Sequence, residues 1–185
     1  PYAYKMALLN AIIQDMGITR LNLPPIPLHA STQTNNSTLE KVRFLEDAGF
    51  LQVVLARELS LEQIREIRSG TSVRLEAFVH GALCVSYSGQ CYLSHAMTGR
   101  SANRGECAQW CRLPYDVYDE KGKILLRHIH VLSLKDLNAT EQLESLMEAG
   151  VTSFKIEGRL KDVSYVKNVT AWYNERLNEI IANSP

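Results

Sequence analysis

Four cysteines are the residues whose type and spacing most clearly indicate chemistry in this sequence. They lie within 28 residues and are separated by six, fifteen and three residues: Cys84, Cys91, Cys107 and Cys111. In a reducing compartment, such a group indicates a metal centre more often than a disulfide framework. The alternatives are two disulfides or four buried thiols.

The spacing leaves the identity of the metal open. Zinc ribbons present close pairs of ligands, typically about two to four residues apart, and here only Cys107 and Cys111 meet that condition. Four thiolates suit both zinc and an iron–sulfur cluster. Glycines in the same segment would let the backbone wrap closely round an inorganic core.

Basic and aromatic residues flank the last two cysteines. Arg100, Arg104 and Arg112 lie near them, with Trp110 in between. Arginine beside an aromatic ring is typical of a surface that contacts nucleic acid. The same arginines could instead offset the charge of a metal centre or pair with Glu106, since no strongly basic patch stands out.

Polar side chains also lie within or just after the predicted strands. The carboxyl ends of parallel strands share one face, so these residues are expected to converge on a pocket beside the cysteines. The candidates are His29, Gln33, Arg57, Glu76, His80, Glu157 and Arg159. Each could instead be an ordinary hydrogen-bonded residue, and Glu157 could simply pair with Arg57. Glu76 lies within its strand, so it either points into the interior or pairs with an arginine such as Arg74.

The composition is that of an ordinary globular protein. The 185 residues are 45% hydrophobic and 22% charged, and 20 basic residues balance 20 acidic ones. This excludes disorder and any whole-chain attraction to DNA or to an acidic membrane. The longest apolar runs are far shorter than the roughly 20 residues of a membrane span. Because the chain begins with Pro1 and lacks a signal-peptide core, we expect a truncated cytoplasmic protein.

Short apolar runs alternate with amphipathic segments along the chain. Strands are predicted at residues 11–14, 26–30, 51–56, 73–79 and 151–156. Helices are predicted at residues 38–48, 61–67, 138–149 and 162–181, and residues 1–10 resemble the end of another helix. Phe44 is expected on the apolar face of the first of these helices. Such alternation, with short connections, predicts a parallel sheet covered by helices.

We therefore predict an α/β fold, namely a partial TIM-type (β/α) barrel with about five of its eight strand–helix units. A complete barrel needs roughly 250 residues, so this chain is short by about three units. A long cysteine-rich insert interrupts the pattern, and a loop of that length is usually functional. The predicted divisions are residues 1–79 for barrel strands and helices, 80–132 for the insert, and 133–185 for the last unit and closing helix. Unpaired sheet edges should be covered by a partner chain, by a second copy in a homo-oligomer or by the insert.

Several stretches of the sequence resemble the peptidase U32 family, also called collagenase-like proteases. The most specific is EAFVHGALCVSYSGQCYLS at residues 76–94. The others are HASTQTN at residues 29–35, RGECAQWCR at 104–112 and SFKIEGRLK at 153–161. The match covers nearly the whole chain and lacks the family's front end, with its first strands and a Gly-Ala-Asp motif.

The resemblance implies oxygen-independent hydroxylation, because better understood members hydroxylate transfer RNA uridine, ribosomal RNA cytidine or a quinone precursor. Those members carry an iron–sulfur cluster on four cysteines, which here implies a 4Fe–4S cluster, with zinc as the alternative. Members that act on RNA are associated with prephenate. This chain resembles the RNA-acting branch more closely, since its four cysteines fall in one insert beside several arginines.

These implications assign roles to the candidate residues. Arg57 and Arg159 would hold a carboxylate co-substrate such as prephenate, because guanidinium groups pair with carboxylates in a bidentate manner. Glu76, His80 and Glu157 are the candidate catalytic residues, with Glu76 or His80 moving a proton. The other expected substrate contacts are His29, Gln33, Arg100 and Arg104.

Two other functions stay open at this point. The family name implies proteolysis, but the chain has neither a His-Glu-x-x-His nor a Gly-x-Ser-x-Gly motif, and no carboxylate is evident beside Ser86 or Ser88. The third function is a non-catalytic zinc or iron–sulfur module that recruits a partner.

Overall fold

The computed structural model describes residues 10–183. Within them, the strands are β1 (Ala11–Ile13), β2 (Leu28–Ala30), β3 (Gln52–Val54), β4 (Arg74–Gly81), β5 (Tyr115–Tyr118), β6 (Ile124–Ile129), β7 (Leu137–Asn138) and β8 (Val151–Ile156). The α-helices of the same residues are α1 (Leu39–Asp47), α2 (Leu61–Ser69), α3 (Leu93–Thr98), α4 (Leu143–Glu148) and α5 (Val163–Asn183). The helix end expected at the start of the chain lies outside the described residues.

Five strands form a parallel sheet in the order β1, β2, β3, β4, β8. All five coincide with predicted strands, because short apolar runs between polar turns mark strands that are buried in the middle of a sheet. The fold is therefore mixed α/β with a parallel sheet. In the described part of the chain β1 and β8 each have one strand neighbour, so the sheet is open rather than closed into a barrel.

Helices α1, α2 and α5 begin within one residue of their predicted starts. Thr38 caps α1, and Ser60 with Gln63 forms a capping box at the start of α2. Two details differ from the prediction. Phe44 is 61% exposed, since Val42 and Leu45 form the buried face of α1. The helix expected from residue 138 begins at Leu143, because residues 137–138 instead pair with the end of β4 as the antiparallel strand β7.

The hydrophobic core lies between the sheet and its helices. Val53, Leu75 and Val79 point from the strands into a cluster that includes Leu143 of α4 and Tyr173 of α5. Each fully buried aliphatic side chain of this kind contributes roughly 1.5–3 kcal/mol. Side chains alternate along a strand, so the intervening residues of the same strands face away from the helices.

The segment between β4 and β7, residues 82–136, contains all four cysteines and is called the cysteine segment below. It folds into α3, short turns and the antiparallel hairpin β5–β6, elements that its mixed sequence did not predict. In residues 10–183 no helix combines the length and the apolar character that crossing a bilayer requires.

Candidate functional site

All four cysteines line one cavity of about 250 Å³, called the cysteine cavity below. The opposite wall comes from residues that follow the parallel strands: Gln33 after β2, Arg57 after β3, and Glu157 and Arg159 after β8. The cavity therefore lies at the carboxyl end of the sheet, where consecutive strands deliver their loops to one place.

Hydrogen bonds from uncharged side chains hold the backbone beside the cysteines. Asn103 Oδ1 accepts a hydrogen bond from the Cys91 amide at 2.9 Å. The hydroxyl of Ser94, which is buried, accepts one from the amide of Ala108, the residue after Cys107, at 3.0 Å. These bonds order the thiol-bearing turns without adding charge to the cavity.

Arg112, the residue after Cys111, ties the two ends of the cysteine segment together. Its guanidinium donates to the Leu83 carbonyl beside Cys84 and to Ser133 Oγ at 2.8 Å. The sequence left open whether this arginine contacts nucleic acid, and the structure commits it to these internal hydrogen bonds.

A completely buried serine joins the cysteine segment to the strand-end loops. Ser88 donates from its amide to Glu58 Oε1 at 3.0 Å, and its hydroxyl lies 2.9 Å from Glu58 Oε2. The same hydroxyl accepts from the Arg57 amide at 3.2 Å and lies 3.2 Å from Thr32 Oγ1. Ser88 therefore has the carboxylate partner that the sequence did not reveal, but its burial keeps the hydroxyl away from any peptide substrate.

The four cysteines are free thiols, so the disulfide alternative does not describe this structure. Burial raises the pKa of the Cys111 thiol above its ordinary value of 9.0; the other three cysteines act in the same direction, and Arg112 opposes them. Within residues 10–183, no three cysteine, histidine or acidic side chains are gathered closely enough to hold one metal ion. Four thiols round one cavity are nevertheless a donor set of the kind that an iron–sulfur cluster or a zinc ion takes.

A second cavity, of about 500 Å³, lies on the sheet face that the helices do not cover, and we call it the inner-face cavity. Its lining includes His29 of β2 and Gln52 of β3, which lie opposite each other on adjacent strands. Glu76 of β4 and Ser153 of β8 form a second such pair in the lining. Glu76 Oε2 accepts from Gln52 Nε2 at 2.5 Å and from Ser153 Oγ at 2.7 Å, while Lys155 Nζ lies 3.2 Å from Oε1. The partner of Glu76 is therefore this lysine and not an arginine.

His29 is buried beside this carboxylate. Burial lowers the pKa of His29 below its ordinary value of 6.5; Glu76 opposes that shift, while Arg74 and Lys155 reinforce it. The imidazole is thus held in its neutral form over most of the physiological range.

Cationic side chains predominate over acidic ones in the cysteine cavity. Arg57, Lys155, Arg159 and Arg112 line it together with one carboxylate, that of Glu157. The guanidinium carbon of Arg57 lies 5.9 Å from the centre of the Phe78 ring, and Lys155 Nζ lies 5.6 Å from it. Arg57 Nε is buried without a hydrogen-bond partner in residues 10–183. An anionic group entering the cavity would therefore meet preformed positive charge.

His80 does not line the cysteine cavity and instead contacts α5. Its Nδ1 is 3.2 Å from the Tyr173 hydroxyl of α5, and its ring packs edge-on against that of Tyr173. Burial lowers its pKa below 6.5; Asp136 opposes that shift and Lys161 reinforces it. The pairing of β4 with β8 shifts register between Phe78 and His80, which breaks the alternation and turns His80 towards the helices.

The seven strand-end candidates are thus divided among three places. Gln33, Arg57, Glu157 and Arg159 line the cysteine cavity, His29 and Glu76 line the inner-face cavity, and His80 contacts α5. Glu157 Oε1 accepts from the Arg159 amide at 2.7 Å, and in the described chain no ion pair joins it to Arg57. Arg100 and Arg104 are exposed and lie outside the cavity lining.

Lys155 is a site residue that sequence analysis did not single out. It belongs to the stretch SFKIEGRLK and lies two residues before Glu157. Residues two apart on a strand point to the same face of the sheet. Lys155 could therefore have been identified from its position two residues before the candidate acid Glu157.

The comparisons with known proteins agree with the resemblance of the motifs. The sequence model of peptidase family U32 matches residues 2–185. A 23S rRNA 5-hydroxycytidine synthase of Escherichia coli is 58% identical over 96% of this chain and 27% of its own length.

Two further relatives have different names. A tRNA hydroxylation protein of Bacillus subtilis is 39% identical over 86% of this chain and 39% of its own length. A collagenase of Porphyromonas gingivalis is 41% identical over 82% of this chain and 40% of its own length. The chain thus spans 27% to 40% of the length of these three relatives.

Proposed function

The chain belongs to peptidase family U32, and from this premise we propose that it is the cluster-binding part of an iron–sulfur-dependent, oxygen-independent hydroxylase that acts on a base of tRNA or rRNA. The observation that carries the proposal is the meeting of four free thiols with strand-end cations in one cavity. The relatives named for rRNA and tRNA hydroxylation support an RNA substrate.

The four cysteines would hold a 4Fe–4S cluster. All four thiols line one cavity, and the resemblance to family members that carry a cluster on four cysteines supports the cluster, with zinc as the alternative. A bound cluster supplies one-electron transfer. The surrounding arginines and Lys155 offset the negative charge that four thiolates bring to a partly buried site.

The strand-end residues would bind and orient the substrates. Arg57 and Arg159 hold a carboxylate co-substrate such as prephenate, and Arg57 is suited to this because its Nε lacks a partner within residues 10–183. Gln33 offers an amide to the edge of a base at the same wall. Arg100 and Arg104, exposed outside the cavity, contact RNA phosphates, which position the substrate without reading its sequence.

Glu157 is the group to which we assign proton transfer. Of the three candidate catalytic residues it is the one that lines the cysteine cavity, where the reacting base would lie. Glu76 instead fixes Lys155, and His80 supports α5 through Tyr173. His29 acts on the substrate indirectly, as part of the polar layer round Glu76.

The larger architecture follows from the same sheet. We propose that the five parallel strands belong to a TIM-type barrel whose interior is the inner-face cavity, since the residues that line it come from adjacent parallel strands in register. The proposed RNA substrate places the protein in the cytoplasm.

Nucleoside mass spectrometry of tRNA and rRNA tests this function. RNA from a strain without the intact gene should lack one hydroxylated pyrimidine. The wild-type gene should restore it, and so should the control variant Arg176→Ala on the exposed face of α5, whereas Cys107→Ala should not. An unchanged set of modified nucleosides would overturn the proposal.

Peptidase activity is the second candidate because one relative is named a collagenase. A gelatin or casein assay with wild-type protein and with Cys107→Ala separates the two. Cleavage by both forms, together with unaltered RNA, would favour the peptidase.

A further inference from the structure

The cysteine segment is attached to the parallel sheet through one buried serine. Ser88 lies between Cys84 and Cys91 in the sequence, and it is completely buried. Its amide and hydroxyl both reach the carboxylate of Glu58, at 3.0 and 2.9 Å. A two-point contact of this kind restrains both the distance and the orientation of the turn.

Two further contacts tighten the same attachment. The Arg57 amide donates to Ser88 Oγ at 3.2 Å, so the carboxylate, the serine and the backbone of Arg57 form one continuous chain of hydrogen bonds. Gly89 lies against the backbone of Gln33 so closely that an added Cβ would be 2.4 Å from its carbonyl oxygen. The turn between two thiols and the strand-end loops after β2 and β3 are therefore held as one unit.

We propose that Glu58 is a positioning residue, which acts through Ser88 to set the placement of the Cys84–Cys91 turn relative to Arg57. The inference rests on the proposed cluster. Glu58 itself is absent from the lining of the cysteine cavity. Through Ser88, the Glu58 carboxylate sets how closely Cys84 and Cys91 approach Cys107 and Cys111.

The expected consequence is a cluster that is bound more loosely and in a different environment. Groups hydrogen-bonded to metal ligands typically change metal affinity by about 10- to 100-fold, and Glu58 acts on the turn that carries two ligands rather than on a ligand itself, so we expect about tenfold. Displacement of the turn also changes solvent exposure of the cluster, which shifts its reduction potential.

The experiment compares Glu58→Ala, Glu58→Gln and Ser88→Ala in the full chain after anaerobic cluster reconstitution. Cluster loss to a chelator and the reduction potential are measured. Glu58→Ala and Ser88→Ala should lose iron about tenfold faster than wild type, with a shifted potential. Glu58→Gln keeps one acceptor oxygen and should be intermediate. The matched control is Glu66→Ala on the exposed face of α2, which should behave like wild type.

Hydrogen exchange of the amides between residues 84 and 91, in protein without the cluster, separates the possible failures. Faster exchange in Glu58→Ala, together with faster iron loss, supports the proposal. Faster exchange with unchanged iron loss and potential would show that the contact only stabilises the fold, and would overturn it. If wild-type protein takes up no cluster, the proposed function is overturned as well. If wild type and Glu58→Ala take up and retain the cluster equally, only the positioning role of Glu58 is overturned.

Discussion

Lys155 Nζ lies 3.2 Å from Glu76 Oε1, and this ion pair connects the inner-face cavity to the cysteine cavity. The remaining oxygen of Glu76 is occupied by Gln52 and Ser153, so the carboxylate is held from three directions. Lys155 is consequently fixed at the wall of the cysteine cavity beside Phe78. A polar layer within the sheet thus determines where one cation of the candidate site lies.

The first prediction concerns this ion pair. Lys155→Met leaves the buried Glu76 carboxylate with two neutral donors, so the free energy of unfolding should fall by about 1–3 kcal/mol. Because the Lys155 side chain is 29% exposed, the coupling itself should be nearer about 1 kcal/mol. The coupling energy is measured in a double-mutant cycle that combines Lys155→Met with Glu76→Gln. The free energy of unfolding of each variant is determined by urea denaturation. Strictly additive losses would show that the two side chains do not interact.

The second prediction concerns the thiols. Anaerobically purified protein should contain iron and sulfide with a brown absorbance, and alanine at any of the four cysteines should abolish both. Met97→Ala, an exposed position on α3, is the matched control and should retain the cluster. Zinc alone in anaerobic wild-type protein would contradict the cluster assignment.

The third prediction concerns the arginines of the cysteine cavity. Arg57→Ala and Arg159→Ala should each lower RNA hydroxylation at least about tenfold, since a charged hydrogen bond contributes roughly 1.5–3 kcal/mol. The cluster spectrum should stay unchanged, because neither side chain holds a cysteine turn. Nucleoside mass spectrometry after complementation measures the first quantity and visible absorbance the second. Full hydroxylation by both variants would remove the substrate-binding assignment.

The fourth prediction uses two glycines with the same backbone angle. Gly89 and Gly99 both have φ of +73°, but a Cβ at Gly89 would lie 2.4 Å from the Gln33 carbonyl oxygen, whereas nothing lies within 4 Å at Gly99. Gly99→Ala should cost only about 1 kcal/mol for the left-handed backbone. Gly89→Ala should cost clearly more and should weaken cluster retention. Equal losses of stability in chemical denaturation would show that the close approach to Gln33 does not matter.

The fifth prediction is a loss of stability in mild acid. Burial lowers the pKa of both His29 and His80 below 6.5, so protons bind more weakly to the folded chain than to the unfolded one. The free energy of unfolding should therefore be flat above the unfolded pKa and fall as the pH drops through 6.5 towards the folded values. His29→Gln and His80→Gln should each reduce that slope in urea titrations at several pH values. A wild-type curve without a decline below pH 6.5 would contradict the burial of these rings.

Local sequence patterns were sufficient to predict the five parallel strands and most helix boundaries. Residues 53–56 are continuously apolar, which is typical of a strand covered on both sides. Ser60 with Gln63 marks the start of α2, because the capping interaction joins residues only three positions apart. Patterns of this kind involve residues within one turn or one strand, so they can be recognised without knowing how the rest of the chain folds.

The positions of individual side chains in the folded structure were less predictable. His80 has the sequence position of a pocket residue, but a register shift between β4 and β8 turns it towards Tyr173, 93 residues away. The sequence did not distinguish Lys155 from the other basic residues, because its partner Glu76 lies on another strand. Such outcomes depend on how strands pair, and pairing joins residues that are distant in the chain.

The amino-acid sequence alone established the α/β class, the parallel set of strands, the family and the grouping of four cysteines in one segment. It did so because periodicity, capping and motif spacing are properties of neighbouring residues. The folded structure was needed to show that Glu58 holds Ser88 and that Glu76 faces the inner-face cavity. It also showed which strand-end residues share a cavity with the thiols, namely Gln33, Arg57, Glu157 and Arg159. Hydrogen bonds and ion pairs across the sheet form only once its strands are in register. They join residues that are far apart in the chain, so no local pattern in the sequence indicates them.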